Sequence, residues 1–557
     1  MRVNFFSKFQ ICLRKIPTYG SICGLAVHVY SYKLRLGVSI ITPSPLARSY
    51  LLRRSLEILP ATLAWGTLIL PFVLFPYFPQ TVSTFVMLYV FLWFLRAMEF
   101  AYFLIYSSWQ YKRARQIDWR AKNSQLMRDL ALDLKPDKVI HLIILPTYKE
   151  PLAVLRESIA SIAASDFDRE RIWFCLATEA RDSKQATAHA TALKEEFGSC
   201  FGRFLWAEHP ADLPDEIPGK GANISYAAKQ VVLELQQASI PFERVLVTTL
   251  DADNKLHPQL LQALAYEFCT AEQRQHKAFQ PIPLFFNNIW DVPTINRMMA
   301  LSSGYWHLIE AGRPDRLRNF SSHSQPLQAL AEMDYWDKTT IVEDGRQYWR
   351  SYLHFNGKYR VIPVFLPVFH DAAEGQTYWQ ALKSQFHQLR RWAWGSSDIA
   401  YYTLGVLRQW RRLPKARTCL QYFRLVEGHY MWATAALFLA VVTPYIRFAN
   451  PDFVDTVFGS HVAILLSTLF RVALLGIFIS MTLTLLMTPK PPRRTGYLKL
   501  ILQWLLLPLA TICFGSLPAL VTQTQLALGR TMGFNVTKKF RKKGVEKRAQ
   551  VAHNPSA

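Results

Sequence analysis

Long apolar runs constrain the fold of this chain more than any other feature. Two occupy roughly 56–77 and 82–106, and three more occupy about 429–447, 462–487 and 498–526. Each is close to the ~20 apolar residues that an α-helix needs to cross a bilayer. The pattern therefore predicts two groups of membrane helices with a long, more polar region between them.

Clusters of Lys and Arg indicate which side of the membrane each loop occupies. Basic residues crowd the segments 112–122, 490–494 and 530–547, whereas the loop around 448–460 has few. Under the positive-inside rule, the first three segments lie in the cytosol and the fourth lies outside. We therefore expect a cytosolic central region and a cytosolic tail.

The last apolar run conflicts with this assignment, because three simple crossings after the central region would leave the tail outside. This run contains Pro508, Gly515 and Pro518, and irregular helices are tolerated in membranes where protein covers them. We therefore predict that the last segment is broken or re-entrant. The expected organisation is a basic N-terminal cytosolic segment (1–55), two membrane helices (56–107), a cytosolic domain with interfacial helices (108–425), C-terminal membrane helices (426–528) and a basic cytosolic tail (529–557).

Two charged residues, Arg96 and Glu99, interrupt the second apolar run. An isolated charge at the bilayer centre costs roughly 2.5–3.5 kcal/mol. Residues three apart share one face of a helix, so the two side chains can pair. We expect a structural ion pair here in preference to a substrate contact.

Composition narrows the class of partner. The chain has 557 residues, a formal net charge of +24 and 51% hydrophobic residues. It is too apolar for a basic nucleic-acid-binding tail, so we assign the excess charge to the membrane and expect no nucleic-acid partner. The seven Cys contain no C-x-x-C pair, which favours a reduced compartment over a disulfide framework or a zinc site. The basic N-terminus lacks the features of a cleavable signal peptide, and we expect an integral protein of the plasma or inner membrane.

The central region, about 137–400, alternates short apolar runs with helix-like segments. The runs 139–145 (VIHLIIL), 172–177 (IWFCLA) and 244–250 (RVLVTTL) are short apolar runs bounded by loops and are predicted to be buried parallel strands. Strands that alternate with helices are typical of an α/β domain with a parallel sheet.

The triplet Asp251-Ala252-Asp253 directly follows the last of these strands. Open α/β sheets bind ligands outside the carboxyl ends of their strands. Two carboxylates on such a loop can hold a hard cation, which in turn bridges the oxygens of a diphosphate. The alternative is a solvated loop, since such triplets also occur by chance.

A second acidic pair, Glu343-Asp344, lies further along the chain. Asp344 is the natural general base, because a sugar hydroxyl that attacks an anomeric carbon must lose its proton. The alternatives are a surface acidic pair and the N-terminus of a helix.

The segment 388–392 reads Gln-Leu-Arg-Arg-Trp. On a helix, Gln388, Arg391 and Trp392 share one face. Trp offers a flat apolar surface to a sugar ring, and Arg neutralises a leaving diphosphate. An amphipathic interfacial helix would explain the same residues.

Two upstream segments complete the set of motifs. The segment 145–150 (LPTYKE) follows the first strand, where a nucleotide would sit, and 219–223 (GKGAN) is a small-residue loop whose Lys220 could touch phosphate. For the second segment, an ordinary turn explains the residues equally well.

In this order and between membrane helices, the motifs resemble the processive family-two glycosyltransferases, which include cellulose and hyaluronan synthases. That family carries an Asp, D-x-D, T/E-E-D and Q-x-x-R-W on a GT-A fold, and the similarity covers about 137–400. The resemblance implies a GT-A α/β domain inserted between membrane helices. It also implies an inverting enzyme that uses a nucleotide-sugar, with UDP as the first expectation, and Mg²⁺ or Mn²⁺. The acceptor would be a growing carbohydrate or a lipid-linked glycan.

The resemblance further implies roles for individual residues. Asp251 would contact the nucleotide-sugar, Asp253 would ligate the metal with it, and Asp344 would be the catalytic base. Lys220 would approach the donor. The residues that would line the acceptor and the diphosphate are Glu343, Gln388, Arg391 and Trp392. The residues that would border the nucleotide are Pro146, Tyr148, Glu150 and Glu179.

The chain departs from the family pattern in three places. The family has an Asp after the second strand, and this chain has Glu179, with Asp182 as the other candidate. Val342 replaces the Thr of the T-E-D motif, and 320–323 (FSSH) replaces the usual Gly-Thr of the acceptor loop. These departures affect the identity of the sugar and the acceptor more than the chemistry. The segment 534–538 (FNVTK) resembles a cytosolic element near the membrane in relatives.

Three hypotheses for function remain at this point. The first is a synthase that extends a polysaccharide, because a Trp392 platform can hold the growing end. The second is an enzyme of the same chemistry that adds one sugar to a lipid-linked or other membrane acceptor. The third, a non-catalytic transporter or scaffold, is disfavoured by the intact Asp251, Asp344 and Arg391. The oligomeric state is not predicted.

Overall fold

The structure is a computed structural model that describes residues 45–533 of the chain. Contacts divide the chain into two units after Leu56. Of the first unit, only the helical segment 45–56 is described. Most of the expected N-terminal segment and tail, including the element at 534–538, lies outside the described residues.

The first described elements are helices. They are α1 (Pro45–Leu74), α2 (Pro79–Ala114) and the short α3 (Trp119–Leu126). At 36 residues, α2 is about 54 Å long. It therefore exceeds the ~30 Å hydrocarbon core of a bilayer.

The central domain contains strands and helices in alternation. In chain order they are β1 (Ile140–Pro146), α4 (Leu152–Ala163), β2 (Ile172–Glu179), α5 (Ser183–Phe197), β3 (Arg203–His209), α6 (Lys220–Gln237), β4 (Val245–Thr249), β5 (Lys255–Leu256), α7 (Leu260–Thr270), β6 (Lys277–Leu284), α8 (Thr294–Ala311), β7 (Ser324–Pro326), α9 (Leu327–Glu332), α10 (Glu343–His354), β8 (Arg360–Phe369), α11 (Tyr378–Ala393) and α12 (Asp398–Gln409).

The C-terminal part of the described chain is helical. Its elements are α13 (Lys415–Leu437), α14 (Thr443–Phe448), α15 (Pro451–Val454), α16 (Val457–Met487), α17 (Thr495–Leu502), α18 (Leu507–Ala510) and α19 (Leu517–Ala527). Between 45 and 533, five helical segments are long and apolar enough to cross a membrane: Ser49–Leu74, Pro79–Ala114, Lys415–Ile446, Val457–Met487 and Thr495–Ala527.

The last of these segments is not a regular helix. A 3₁₀ turn at Gln503–Leu506 and a π-helical turn at Thr511–Ser516 interrupt it. Pro508 and Pro518 cannot donate a backbone N–H to the preceding turn, which favours such irregular geometry. The segment is therefore a continuous helix with two irregular turns, each next to one of these prolines.

The strands form one sheet in the described part of the chain, in the order β3-β2-β1-β4-β7-β6-β8-β5. The four strands from β3 to β4 are parallel, as predicted. The sheet as a whole is mixed, because β7 lies antiparallel between β4 and β6, and β5 is antiparallel to β8. The expectation of a parallel sheet therefore holds for the half from β3 to β4 and is wrong for the other half, where β7 and β5 are antiparallel. Strand β7 has three residues and β5 has two, so both are too short to show any periodicity in the sequence.

Helices cover both faces of the parallel half. Ile143 and Leu145 of β1 pack in one core cluster with α4 and α7, whereas Leu142 and Ile144 pack in the opposite cluster with α6. Successive side chains of a strand point to opposite faces, so a strand buried on both faces must be apolar throughout. This explains the unbroken apolar sequence of β1.

Candidate active site

The predicted motifs converge at the carboxyl edge of the parallel strands. The segment 145–150 follows β1, Glu179 ends β2, and Asp251-Ala252-Asp253 follows β4. Since β1 pairs in parallel with both β2 and β4, the three strand ends lie side by side at one edge of the sheet. Open α/β sheets bind their ligands at such edges.

Lys220 joins the two acidic motifs. Its Nζ lies 2.9 Å from Asp251 Oδ1, 3.2 Å from Asp344 Oδ2 and 3.9 Å from Glu343 Oε1. The side chain is only 10% exposed. We use the name "cleft" for Lys220 and its three acidic partners together with Asp253, two residues from Asp251, and Arg391, which is attracted to the same carboxylates. Its residues are Lys220, Asp251, Asp253, Glu343, Asp344 and Arg391.

The segment 219–223, expected to be a loop, forms the start of α6, and Gly221 explains why its residues are small. A Cβ at this position would lie 3.1 Å from the Cβ of Glu343 and would collide with the carbonyl of Asp337. Glycine thus lets the start of α6 approach the start of α10 and brings Lys220 to the carboxylates.

Asp251 is held as a carboxylate. Desolvation alone would raise its pKa, but the charge of the Lys220 ammonium outweighs that effect and holds the pKa of Asp251 well below its usual range. Ser321 Oγ also donates a hydrogen bond to Asp251 Oδ2 at 2.6 Å. Asp251 is therefore ionised throughout the physiological pH range.

A hydrogen-bonded ring fixes the turn that carries Asp251. The Asp251 N–H donates to Asn254 Oδ1 at 2.7 Å, and Ser322 Oγ donates to the same oxygen at 2.8 Å. Asn254 Nδ2 donates to His370 Nδ1 at 2.9 Å, which leaves the His370 proton on Nε2, 3.3 Å from Ser322 Oγ. None of these three partners was identified from the sequence.

Asp253 is fixed from two other loops. Its Oδ2 accepts a hydrogen bond from the Asp371 N–H at 2.8 Å, and its carbonyl accepts one from Asn287 Nδ2 at 2.9 Å. The side chain is almost completely buried. The sequence analysis missed Asn287 and Asp371. The sequence did contain a signal for Asp371. His370 and Asp371 are polar residues that directly follow the apolar strand β8, as Asp251 and Asp253 follow β4.

Glu343 and Asp344 begin α10, where negative charge is favourable near the helix N-terminus. Burial, followed by repulsion from Asp344, raises the pKa of Glu343 from 4.5 to about 8. Glu343 is therefore mostly protonated at neutral pH. The two residues do lie at the N-terminus of a helix, which was one of the alternatives for this pair. Their contacts with Lys220 show that they also face the cleft.

His323 lies beside Asp344, with its Nδ1 3.7 Å from Asp344 Oδ1. The same nitrogen donates to the Phe320 carbonyl at 2.9 Å, so the neutral ring carries its proton on Nδ1. Burial lowers the pKa of His323, which keeps the ring neutral.

The helix α11 begins at the Thr377 cap, whose side chain accepts from the Gln380 N–H. Burial lowers the pKa of Arg391, and attraction to Asp251, Glu343 and Asp344 opposes that effect. The structure thus brings Arg391 to the cleft.

The other two motif residues on α11, Gln388 and Trp392, have different surroundings from those of Arg391. The ring of Trp392 packs 6.0 Å from that of Phe285, which in turn lies 5.2 Å from the ring of His370. Gln388 accepts a hydrogen bond from Gln385 of its own helix at 3.3 Å. Trp392 therefore borders the residues around the cleft, and the described contacts of Gln388 are local.

The residues expected to border the nucleotide form a neighbouring group. Arg181 pairs with Glu179 and also lies over the Tyr148 ring, 4.6 Å from its centroid. Glu150 accepts hydrogen bonds from the Thr147 hydroxyl and the Tyr148 N–H. The hydrogen bonds of Glu150 thus stabilise the loop that follows Pro146. Arg181 contacts both Glu179 and Tyr148, two residues that were predicted to border the nucleotide. Arg181 was not assigned a role from the sequence.

The carboxylates of Asp251 and Asp253 are hard oxygen ligands of the type that Mg²⁺ and Mn²⁺ prefer. Within residues 45–533, no group of three or more His, Cys, Asp and Glu side chains is arranged to hold a metal ion. Mg²⁺ is commonly bound by one or two carboxylates together with substrate phosphates and water. The residues therefore fit a metal that arrives with a diphosphate.

No protein-family model matches the chain, and no curated protein matches it. Among solved structures, it is similar to the mannosyltransferase PcManGT from Pyrobaculum calidifontis in complex with GDP-Man and Mn²⁺. That match has 13% identity and a TM-score of 0.36, and covers 77% of this chain and 99% of the other. It is also similar to S. aureus TarS (1–349) in complex with UDP-GlcNAc, at 13% identity and a TM-score of 0.32, covering 72% and 94%. Both neighbours are glycosyltransferases.

Proposed function

We propose that this chain is a membrane-embedded, inverting glycosyltransferase with a GT-A catalytic domain, of the family-two, cellulose-synthase-like type. It transfers a sugar from a nucleotide-sugar, with UDP as the first candidate, to a growing polysaccharide or glycolipid in β-linkage. One observation carries the proposal. The Lys220 ammonium contacts both Asp251 and Asp344, and this shared contact supports a donor site and a general base in one cleft.

The cleft supplies the groups that a single displacement needs. An acceptor hydroxyl attacks the anomeric carbon while its proton passes to Asp344. The bond from that carbon to the diphosphate breaks, and the electron pair leaves on the diphosphate. Lys220 and Arg391 stabilise the negative charge that develops there. Because attack and departure occur on opposite faces of the sugar, an α-linked donor gives a β-linked product.

Asp251 and Asp253 would hold Mg²⁺ or Mn²⁺. When bound, the ion would neutralise charge on the diphosphate. The hydrogen bonds from Ser321 to Asp251 and from the Asp371 N–H to Asp253 fix the two carboxylates before any ligand arrives. We assign the nucleotide to the neighbouring group formed by Pro146, Tyr148, Glu150 and Glu179, and the acceptor to the side of Gln388 and Trp392.

We place the catalytic domain and the tail in the cytosol. The last apolar segment contacts the central domain near its start, where Arg297 Nε lies 3.3 Å from Gln503 Oε1. It does so again near its end, where Arg390 Nη2 lies 2.6 Å from Gln525 Oε1. A straight helix from 503 to 525 would span about 33 Å. The segment thus contacts the central domain at both positions, and we assign the tail to the cytosolic side from the basic residues at 530–547.

Cysteine labelling tests this arrangement. In a chain without its native Cys, Gly544→Cys in the tail should resist a membrane-impermeant maleimide added outside intact cells. Asp455→Cys, in the opposite loop, should react. Equal labelling of both positions would show that the last segment crosses the membrane.

A donor screen tests the proposed function. Membranes that contain the protein are incubated with radiolabelled UDP- and GDP-sugars and Mg²⁺ or Mn²⁺, and the size of the labelled product is measured. We expect transfer from one donor, with a ladder of products. A single added sugar would instead support the non-processive alternative, in which the acceptor is lipid-linked. Absence of transfer from every donor, with folded protein present, would favour a non-catalytic transporter or scaffold.

A further inference from the structure

Ion pairs join two membrane helices near the end of α8. Arg96 of α2 lies 2.7 Å from Glu99 Oε2 and 2.6 Å from Glu427 Oε1 of α13. The predicted pairing of Arg96 with Glu99 is therefore confirmed, and it extends to a second helix. We call the full set the ion cluster: Arg96, Glu99, Glu310, Arg313, Arg316 and Glu427.

Two arginines attach the chain after α8 to these helices. Arg313 Nη1 lies 3.0 Å from Glu99 Oε1, and Arg316 Nη2 lies 3.5 Å from Glu427 Oε2. The Arg313 side chain is only 4% exposed. These residues open a segment, 312–323, that we call the connector.

Further contacts fix the first half of the connector. Gln421 Nε2 and Arg424 Nη1 of α13 donate to the Asp315 carbonyl at 2.8 and 2.9 Å. At Gly312, a Cβ would collide with the Ser107 hydroxyl of α2. Glycine at this position therefore permits the close approach of the connector to the membrane helix.

The other end of the connector lies in the cleft. Ser321 donates to Asp251, and His323 lies beside Asp344. Gln280 holds this end from the sheet, since its Oε1 accepts from the Phe320 N–H at 2.8 Å and its Nε2 donates to the Ser321 carbonyl at 3.1 Å. The eight residue steps from Arg313 to Ser321 span at most about 28 Å.

The connector is also constrained between its ends. The Arg318 guanidinium lies 4.6 Å from the centroid of the Trp349 ring on α10, the helix that begins with Glu343 and Asp344. Ser322 has a φ of +68°, a left-handed conformation that is uncommon for residues other than glycine. Such a conformation persists only where its surroundings enforce it.

We propose that Arg313, Arg316 and Glu427 are positioning residues for glycosyl transfer. They fix the connector on the membrane helices, and the connector in turn fixes Ser321 and His323 against the catalytic carboxylates. This inference rests on the proposed function. A misplacement of about 1 Å, arising far from the chemistry, is enough to slow an enzyme about 10²-fold.

The first test is Glu427→Gln, which removes the charge and preserves the size of the side chain. We expect kcat to fall at least about 10-fold. KM for the donor and its affinity by calorimetry should change less than about 3-fold, because the donor ligands themselves remain. Glu427→Asp should recover part of kcat. The matched control is Glu196→Gln, which breaks the exposed pair with Arg156 (2.7 Å) and should leave kcat unchanged.

A second variant covers the case in which Glu427→Gln does not fold. Arg316→Gln removes one partner of a single 3.5 Å contact and should lower kcat in the same way. Combining Arg316→Gln with Ser321→Ala should cost less than the product of the two single effects, because both act through the connector. Multiplicative effects, or an unchanged kcat in folded Arg316→Gln, would overturn the connector proposal alone. If the wild type transfers no sugar, the proposed function fails and this inference fails with it.

Discussion

The cleft and the ion cluster both gather charged side chains away from bulk water, but they balance those charges differently. The ion cluster contains three Arg and three Glu, and each of them is in an ion pair with another member of the cluster. In the cleft, as we define it from the described residues, four carboxylates face two cations. One of those carboxylates, Glu343, takes up a proton near neutral pH.

The difference separates a structural role from a chemical one. Buried charges are tolerated when each has a partner, so a balanced cluster can hold helices together without any ligand. A surplus of carboxylates must be compensated by protons, by a metal or by a cationic ligand. We therefore expect substitutions in the cleft to act mainly on ligand binding and turnover, and substitutions in the ion cluster to act on geometry and stability.

The largest expected effect is that of Asp253→Ala. Loss of this ligand should reduce transfer by more than about 10⁴-fold, since it removes most of the electrostatic stabilisation of the diphosphate. It should also remove the metal dependence of donor binding, measured by calorimetry with and without a chelator. Asp133→Ala, which breaks an ion pair with Arg274 on the domain surface, is the control and should bind and turn over normally. Full metal-dependent binding by Asp253→Ala would contradict the assignment.

Asp344→Asn should separate chemistry from binding. Loss of a general base lowers kcat by roughly 10²–10⁴-fold. Donor affinity should change little, because only the attacking hydroxyl needs the base. Single-turnover rates and calorimetry on the same preparation measure the two effects. If donor affinity falls as far as it does in Asp253→Ala, Asp344 is a donor ligand and not the base.

Glu343→Gln should have the smallest effect on turnover and a distinct effect on stability. The folded pKa of Glu343 is about 8, above its unfolded value of about 4.5. Between these values the folded state binds more protons than the unfolded state, so stability is highest below pH 4.5 and falls as pH rises to 8. The slope from this one group is at most about 1.4 kcal/mol per pH unit.

Thermal unfolding of the purified protein from pH 5 to 9 measures this slope. The variant should lose less stability than the wild type as pH rises, because its amide does not ionise. Glu196→Gln, at an exposed ion pair, should follow the wild type. Parallel curves for the wild type and Glu343→Gln would show that the buried carboxyl is not protonated in the folded state.

The sequence predicted those features that depend on local pattern. Strands β1, β2 and β4 were recognised because they are apolar on both faces, and the turn that carries Asp251 and Asp253 was recognised because it ends a strand. Lys220 was assigned only to a phosphate contact. Its position among three carboxylates depends on Gly221, which allows α6 and α10 to approach each other.

The residues missed from the sequence reach the cleft from distant parts of the chain. His370 and Asp371 follow β8 and were not assigned a role. Ser321 and Ser322 lie in the segment 320–323, which the resemblance assigned to the acceptor loop, but their contacts with Asp251 and Asn254 were not predicted. The strand β7 that follows has only three residues and no detectable periodicity, so its pairing with β4 could not be inferred. Nothing in the sequence around Arg181 indicates that it lies near Tyr148. The contact between the two side chains depends on the pairing of β1 with β2.

By itself, the sequence determined the apolar segments, the α/β character of the central domain and the residue types available for chemistry. Those properties follow from hydrophobic length and periodicity, which act over a few turns or strands. Only the tertiary structure decided that one ammonium bridges two acidic motifs and that an ion cluster on the membrane helices is tied to the cleft by the connector. Two of these contacts, Lys220–Asp344 and Arg316–Glu427, join residues more than a hundred positions apart, and they form only when sheet order and helix packing bring those residues together.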